Sequence, residues 1–189
     1  MKYLLETKRC RLREMLPSDA PYVYELNLHP DIFKFTTDPP FKNIEATKDF
    51  IKKYAAYYKM GIGRWTIELK EGNKYLGWCG LKYIPKENEV DIGYRLLPQY
   101  WGNGYAVETA NACCHFGMQE LGIKRIVARI HKQNFRSIRV AEKMKMIYEK
   151  DLDYDGVPWM NFVYPSSTNS KITTKIMTPP ELNSYYMFM

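Results

Sequence analysis

The sequence predicts one α/β domain over residues 1–164: a mixed, mostly antiparallel, twisted sheet of about seven strands flanked by four helices. Three features point there. With 189 residues, 46% of them hydrophobic and 15% aromatic, the chain can bury one full core and is short for two comfortable domains. Segments that alternate with period two, or run apolar between turn residues, are interleaved with segments of helical period. Turn compositions such as "EGN", "PKEN" and "DG" separate neighbouring extended runs by hairpin distances.

In chain order, "KRCRLREM" (Lys8 to Met15) alternates charged and less polar residues, as a strand near an edge does. Pro17, Ser18 and Asp19 then read as a helix start with Ser18 as cap, and Ala20, Val23, Tyr24 and Leu26 supply a partial apolar face up to the stop at His29 and Pro30. After a loop rich in Pro, Thr and Phe, Asn43 can cap a second helix. Its face is Ile44, Thr47, Phe50, Ile51, Tyr54 and Ala55, and Gly61 and Gly63 stop it. Arg64 to Lys70, Tyr75 to Ile84 and Glu89 to Leu97 form an antiparallel meander. Ala106, Ala110, Cys113, Cys114, Gly117, Met118 and Leu121 recur at steps of three and four, so Tyr105 to Leu121 is a largely buried helix ended by Gly122. The strand "RIVARI", the helix "NFRSIRVAEKM" and a hairpin turning at Asp155-Gly156, which suits a type I′ turn, complete the domain. From residue 165 to Met189 the chain is rich in Ser, Thr, Asn and Pro without periodicity, and is expected to be a flexible tail.

Composition removes several classes of function. No apolar run approaches the ~20 residues that cross a bilayer, and the N-terminus becomes charged too early for a signal peptide, so a soluble cytoplasmic protein is expected. Cys10, Cys79, Cys113 and Cys114 have neither CxxC nor zinc-finger spacing, which points to small buried hydrophobes and to no metal site. Cys114 and His115 are adjacent, and neighbours on a helix point apart, so they make no dyad. The net charge of +7 comes from basic residues spread from Lys2 to Lys175 without a recognition-helix or RNA-binding signature, which argues against nucleic acid as the partner.

The most specific stretch is "LLPQYWGNGYAVETA", Leu96 to Ala110. Asn103-Gly104 alone would make an ordinary exposed turn. Here, however, the glycines stand between a strand and a helix, where unpaired backbone N–H groups and the helix dipole favour an anion, and where Gly102 and Gly104 let it approach the backbone. A dinucleotide fingerprint is a poor match, because Gly104 is followed by Val107 where a third glycine belongs, and the next strand ends in Ile130, His131 and Lys132 without the ribose-binding acid.

Gln99-Tyr100-Trp101-Gly102-Asn103-Gly104 resembles the (Gln/Arg)xxGx(Gly/Ala) coenzyme-A loop of the GNAT acyltransferase superfamily. "LETKRCRLREMLPSDA", "WCGLKYI", "NEVDIGYRLLPQYWGNGYAVETA", "NFRSIRVAEKM" and "DYDGVPWMNFVY" resemble successive segments of its RimJ/RimL-like branch, over about residues 5 to 164. The resemblance implies a GNAT-like sheet with splayed central strands and acetyl-CoA as cosubstrate. It implies a pyrophosphate cradle from Gln99, Trp101, Gly102, Asn103, Gly104, Tyr105 and Ala106, main-chain contacts to the pantetheine arm from Leu96 and Leu97, and further contacts from Asn134 and Ser137. Without the resemblance, Asn134 reads as a helix cap and Ser137 as a first-turn serine.

Acetyl transfer to an amine needs the neutral base, and amines with pKa near ~8 to ~10.4 must lose a proton first. Glu89 and Asp91 share one strand face. Asp91 matches the acidic position of the family's "E-(I/L)-G-Y" and is the first candidate base, directly or through water, with Glu89 second. The tyrosine that many members carry seven residues after the Asn is Ala141 here, so Ser137 becomes the candidate acid for the leaving thiolate, with Tyr148 as fallback. Lys145 stands where related chains have glycine, which predicts a left-handed residue strained by about 1 kcal/mol. Asp31, Asp38, Asp151, Asp153 and Asp155 are expected to border the acceptor cleft and attract a cationic amine, although turn chemistry explains Asp155 equally well. The reading is an N-acetyltransferase working by direct transfer, as a monomer or homodimer, on a protein N-terminus or a small amine. The alternative is a coenzyme-A-binding or interaction protein on the same fold.

Overall fold

The structure is a computed structural model that describes residues 2–36 and 39–165; the tail from residue 166 onward, and Asp38, lie outside the described residues. Its strands are β1 (Leu5–Glu6), β2 (Cys10–Arg13), β3 (Gly63–Leu69), β4 (Lys74–Ile84), β5 (Glu89–Leu96), β6 (Ile126–His131), β7 (Ile147–Tyr154) and β8 (Val157–Val163). The helices are α1 (Ala20–Leu28), α2 (Pro30–Phe33), α3 (Ile44–Tyr58), α4 (Tyr105–Gln119) and α5 (Phe135–Lys143). The eight strands form one sheet in the order β1-β2-β3-β4-β5-β6-β8-β7. Every neighbouring pair is antiparallel except β5 and β6.

The eighth strand and the fifth helix are additions to the predicted set. β1 is two residues that fold back on β2 through a turn in which the Cys10 N–H donates to the Thr7 hydroxyl at 3.0 Å, a pairing too short to leave a periodic trace. α2 arises because Pro30 starts a helical turn where it was expected only to end one: proline is suited to the first helical position, and the His29 ring accepts the Asp31 N–H at 3.3 Å. The cap before α1 is also reassigned. Ser18 makes no capping bond, and the Asp19 carboxylate accepts the Leu16 N–H at 2.8 Å, because Asp19 is fixed in the interior by Arg13 and Thr66.

Local signals elsewhere read true. Asn43 caps α3 by accepting the Ala46 N–H at 2.8 Å. Asp155 and Gly156 both have positive φ, 54° and 79°, as a type I′ turn requires. All four cysteines are free and buried, and the Sγ atoms of Cys79 and Cys113 touch at 3.7 Å between β4 and α4. Strand alternation turns Trp78 to the opposite side, into a second cluster built on Val23 and Leu26 of α1. No helix among the described residues is long and apolar enough to cross a membrane.

Lys145 has φ +60° between α5 and β7, where its N–H closes the helix on the Glu142 carbonyl. Lys145→Gly is therefore expected to stabilise the fold by about 1 kcal/mol, read as a higher urea midpoint at unchanged slope.

Candidate functional site

The site begins where the sheet parts. β5 pairs with β4 along its whole length, from Ile84↔Glu89 to Gly77↔Leu96, but with β6 only at Val90↔Ile126 and Asp91↔Val127. Beyond Asp91 the two strands diverge around a cavity of about 790 Å³. The Leu97 N–H donates to the Leu76 carbonyl on β4 at 2.9 Å, so by alternation the main chain of Tyr94 and the N–H of Leu96 turn toward the gap. This corrects the expectation for Leu96 and Leu97 as a pair. The Leu96 carbonyl is taken by the Trp101 indole N–H at 2.7 Å, and Leu97 is bonded to Leu76 and Tyr100, leaving the Leu96 N–H as their contribution to the gap.

At the end of β5 the chain makes a short helical turn over Pro98–Tyr100 and enters the glycine loop. Gly102 and Gly104 both have φ +80°, and Gly104 is the N-cap of α4. Gly102, Gly104, Tyr105, Ala106 and Val107 line the cavity, so the N-terminal turn of α4 opens onto it. A Cβ at Gly102 would meet no atom within 4 Å, leaving the space over the loop clear. Gln99 is exposed and does not line the cavity. Asn103 is not lining either; its side-chain amide donates to the carbonyls of Tyr100 and Trp101 at 3.3 and 3.1 Å and closes the loop from behind.

The loop is tied to the β1–β2 turn by residues that sequence reasoning missed. The Glu108 carboxylate, in the first turn of α4, accepts the Thr7 hydroxyl at 2.7 Å, the Arg9 N–H at 2.8 Å and Arg9 Nε at 2.7 Å. Burial alone would raise its pKa, but the bonds from Thr7 and Arg9 more than offset that and hold it below the ordinary carboxylate range. Arg9 also donates to the Asn103 carbonyl at 3.0 Å and lies 4.3 Å over the Tyr105 ring. An acid in a first helical turn was the available signal; its partner is 99 residues away.

α5 forms the next wall. Asn134 is its cap, accepting the Ser137 N–H at 3.2 Å, and both residues line the cavity. The Tyr94 hydroxyl donates to the Ser137 carbonyl at 3.4 Å, and burial pushes that phenol well up from its ordinary value. Arg136, Arg139 and Lys143 recur along one helical stripe facing the same cavity, with Arg136 4.6 Å over the Trp101 ring.

The candidate bases are placed differently from expectation. The Asp91 carboxylate is gripped by Arg64 at 2.8 Å and the Glu89 carboxylate by Arg125 and Arg129 at 2.8 and 2.7 Å, and neither residue lines the cavity. Arg64 also donates to the Gly80 carbonyl, and its guanidinium lies flat over Gly93, where any Cβ would stand 2.7 Å from it. Burial disfavours the charge of Arg64, but Asp91 outweighs it and the guanidinium stays protonated. Tyr148 lies on β7 away from the cavity, half-exposed, donating to Asp151 at 3.0 Å. The acidic border is likewise diverted: Asp151 pairs with Lys132 at 2.6 Å and Asp153 accepts the Gly156 N–H at 2.7 Å. Of the described expected acids, Asp31 alone lines the cavity, and Lys34 holds it at 2.7 Å.

Residues 9–147 match the acetyltransferase (GNAT) domain family. The chain is 34% identical over 155 residues to the uncharacterized protein YkkB of Bacillus subtilis, covering 80% of this chain and 89% of that one. A GNAT-family acetyltransferase from Bacillus anthracis superposes with a TM-score of 0.71 at 26% identity, over 85% of this chain and 95% of that one. The ribosomal α-N-protein acetyltransferase RimL, solved in complex with coenzyme A, superposes with a TM-score of 0.73 over 86% of this chain and 97% of its own, and at 18% identity it shows likeness of fold. A parted parallel strand pair, a glycine loop feeding a helix and a family match across most of the domain coincide: the chain belongs to the GNAT acetyltransferases, with acetyl-CoA as the cosubstrate that membership implies.

Proposed function

We propose that the protein moves the acetyl group of acetyl-CoA directly to a primary amine held in the cavity between β5 and β6, in the cytoplasm. The observation that carries this is the strand divergence at Asp91, because it turns the main chain of Tyr94 and the Leu96 N–H toward a gap that ends at the N-terminus of α4. In this reading the pantetheine arm bonds those main-chain groups, and the pyrophosphate takes the N–H groups between Gly102 and Ala106, where the dipole of α4 adds to them. The stripe Arg136, Arg139 and Lys143 meets the nucleotide phosphates. The family resemblance extends to the RimJ/RimL-like branch, and RimL's own substrate makes a protein N-terminus one acceptor class beside small amines.

Asp91 and Glu89 serve as anchors for arginines, so the proton from the amine leaves through water. Nearby guanidiniums assist by disfavouring the ammonium form of the acceptor. An N–H at the parted strand, that of Tyr94 or Leu96, stabilises the developing oxyanion. The Ser137 hydroxyl passes its proton to the leaving thiolate and takes one back from the water that received the amine's proton, so the serine ends the cycle neutral.

Thiol release from acetyl-CoA with a panel of amines and peptides tests the reading. Ser137→Ala is expected to lower kcat about 10²-fold while KM for acetyl-CoA stays within about threefold. Tight binding of coenzyme A with no turnover of any amine or peptide would instead favour a binding protein on this fold.

A further inference from the structure

We propose that the acceptor is an amine that carries a carboxylate, as an amino acid does, and that Arg129 and Trp159 read that carboxylate. This rests on the acetyltransferase reading and adds the acceptor's class to it. Strand register and alternation put Arg64 of β3, Trp78 of β4, Arg95 of β5, Arg129 and His131 of β6 and Trp159 of β8 on one side of the sheet, and all of them line the cavity. Arg64 and Arg129 are held by Asp91 and Glu89, carboxylates that do not line the cavity themselves. Each pair thus presents its cationic member to the cavity while its anionic member stays off the cavity wall, and the local field favours a negative group. Asp31, the one carboxylate lining the cavity among the described residues, is occupied by Lys34. A polyamine would find little there to neutralise it.

Two donors are left over. Arg129 Nε and Trp159 Nε1 are both buried and both without a hydrogen-bond partner. A buried N–H without a partner is unfavourable, so such groups in a cavity wall call for an explanation. Arg129 pairs with Asn161 and His131 with Trp159 across β6 and β8, so the two donors belong to adjoining strands two positions apart in register, on the same face. A small shift of the indole and guanidinium on binding lets one carboxylate meet both, since it offers two acceptor oxygens and a charge; an aliphatic amine offers none. Arg129 lies on the strand that borders the gap, so a carboxylate held there places an amine a few bonds away toward the parted strands.

Calorimetry on the full-length protein saturated with coenzyme A reads this without requiring turnover. The probes are N-acetyl amino acids with aliphatic, aromatic and polar side chains, each paired with its N-acetyl amide. At least one acid is expected to bind about tenfold or more tightly than its amide, with the ratio falling to about threefold or less in Trp159→Phe, which keeps a ring and removes the N–H, and in Arg129→Lys. Equal binding of acid and amide for every side chain, no binding of any acid, or an unchanged ratio in both variants overturns the proposal. The thiol-release panel separates this from the parent reading. Turnover confined to spermidine or to amino amides leaves an acetyltransferase standing and sinks the carboxylate, whereas failure to bind coenzyme A at all sinks the parent.

Discussion

Gly104→Val is expected to weaken coenzyme-A binding about tenfold while the domain stays folded, with unfolding free energy lower by up to about 1–2 kcal/mol. Gly104 sits at φ +80° immediately before α4, and a β-branched residue is strongly disfavoured there. The chain has two ways out. It can keep the left-handed turn under strain, or rotate Gly104 to negative φ and swing the N–H groups of the first turn of α4 away from the cavity. Loss of two charge-assisted bonds to a pyrophosphate would cost about 3 kcal/mol or more, which exceeds the strain of about 1–2 kcal/mol, so the bound protein keeps the left-handed turn and the strain sets the size of the binding defect. Steric clash alone would not do it, since a Cβ at Gly104 would meet only Arg9 Nη2, at an ordinary 3.6 Å. Gly156→Val is the control. It has φ +79° and open space around it, but lies in the β7–β8 turn away from the cavity, so it should lose similar stability and leave coenzyme-A affinity at the wild-type value. If Gly104→Val also retained wild-type affinity, the loop would not be the phosphate cradle.

What could be read from the sequence divides by the range of the interaction. Asn43, Lys145 and the Asp155-Gly156 turn declare themselves within a few residues, through cap geometry and positive φ, and the structure bears them out. The face shared by Glu89 and Asp91 was also legible, because period two is local. Their partners were not. Asp91 meets Arg64 across 27 residues of chain and Glu89 meets Arg129 across 40, and both meetings depend on strand register, which one sequence does not reveal. The same limit hid His131 beside Trp159, whose rings meet edge-on at 5.7 Å only because β6 and β8 are neighbours. Ser18 and Asp19 carry the same capping signature; burial among Arg13 and Thr66 decided between them, and local propensity has no access to that.

The same buried group sets the second large effect: Arg13→Ala is expected to lower the unfolding free energy by about 3–5 kcal/mol. Arg13 is 6% exposed, and its guanidinium is used on every side. It donates to both oxygens of Asp19 at 2.7 and 2.9 Å, to Glu68 at 2.7 Å and to the Glu14 carbonyl at 3.0 Å. Around it, Thr66 and the Leu16 N–H donate to Asp19, and Tyr3 donates to Glu68. Removing the cation leaves two carboxylates, 4% and 8% exposed, in one pocket with no charge to balance them, which is why the expected loss far exceeds that of a surface pair. Lys52→Ala, which breaks an exposed pair with Asp49, should stay within about 0.5 kcal/mol of wild type. For a chain of this size the Arg13→Ala loss corresponds to a melting temperature lower by about 6–20 °C. Arg13→Lys should recover part of it, since the charge returns but one ammonium cannot reproduce the fork that spans Asp19 and Glu68. Because the network is shielded from solvent, raising the salt concentration should leave the Arg13→Ala deficit almost unchanged. A loss below about 1 kcal/mol would mean that the two carboxylates reach water without Arg13, and that the turn into α1 is held by the apolar packing of Met15, Val23 and Leu26 instead.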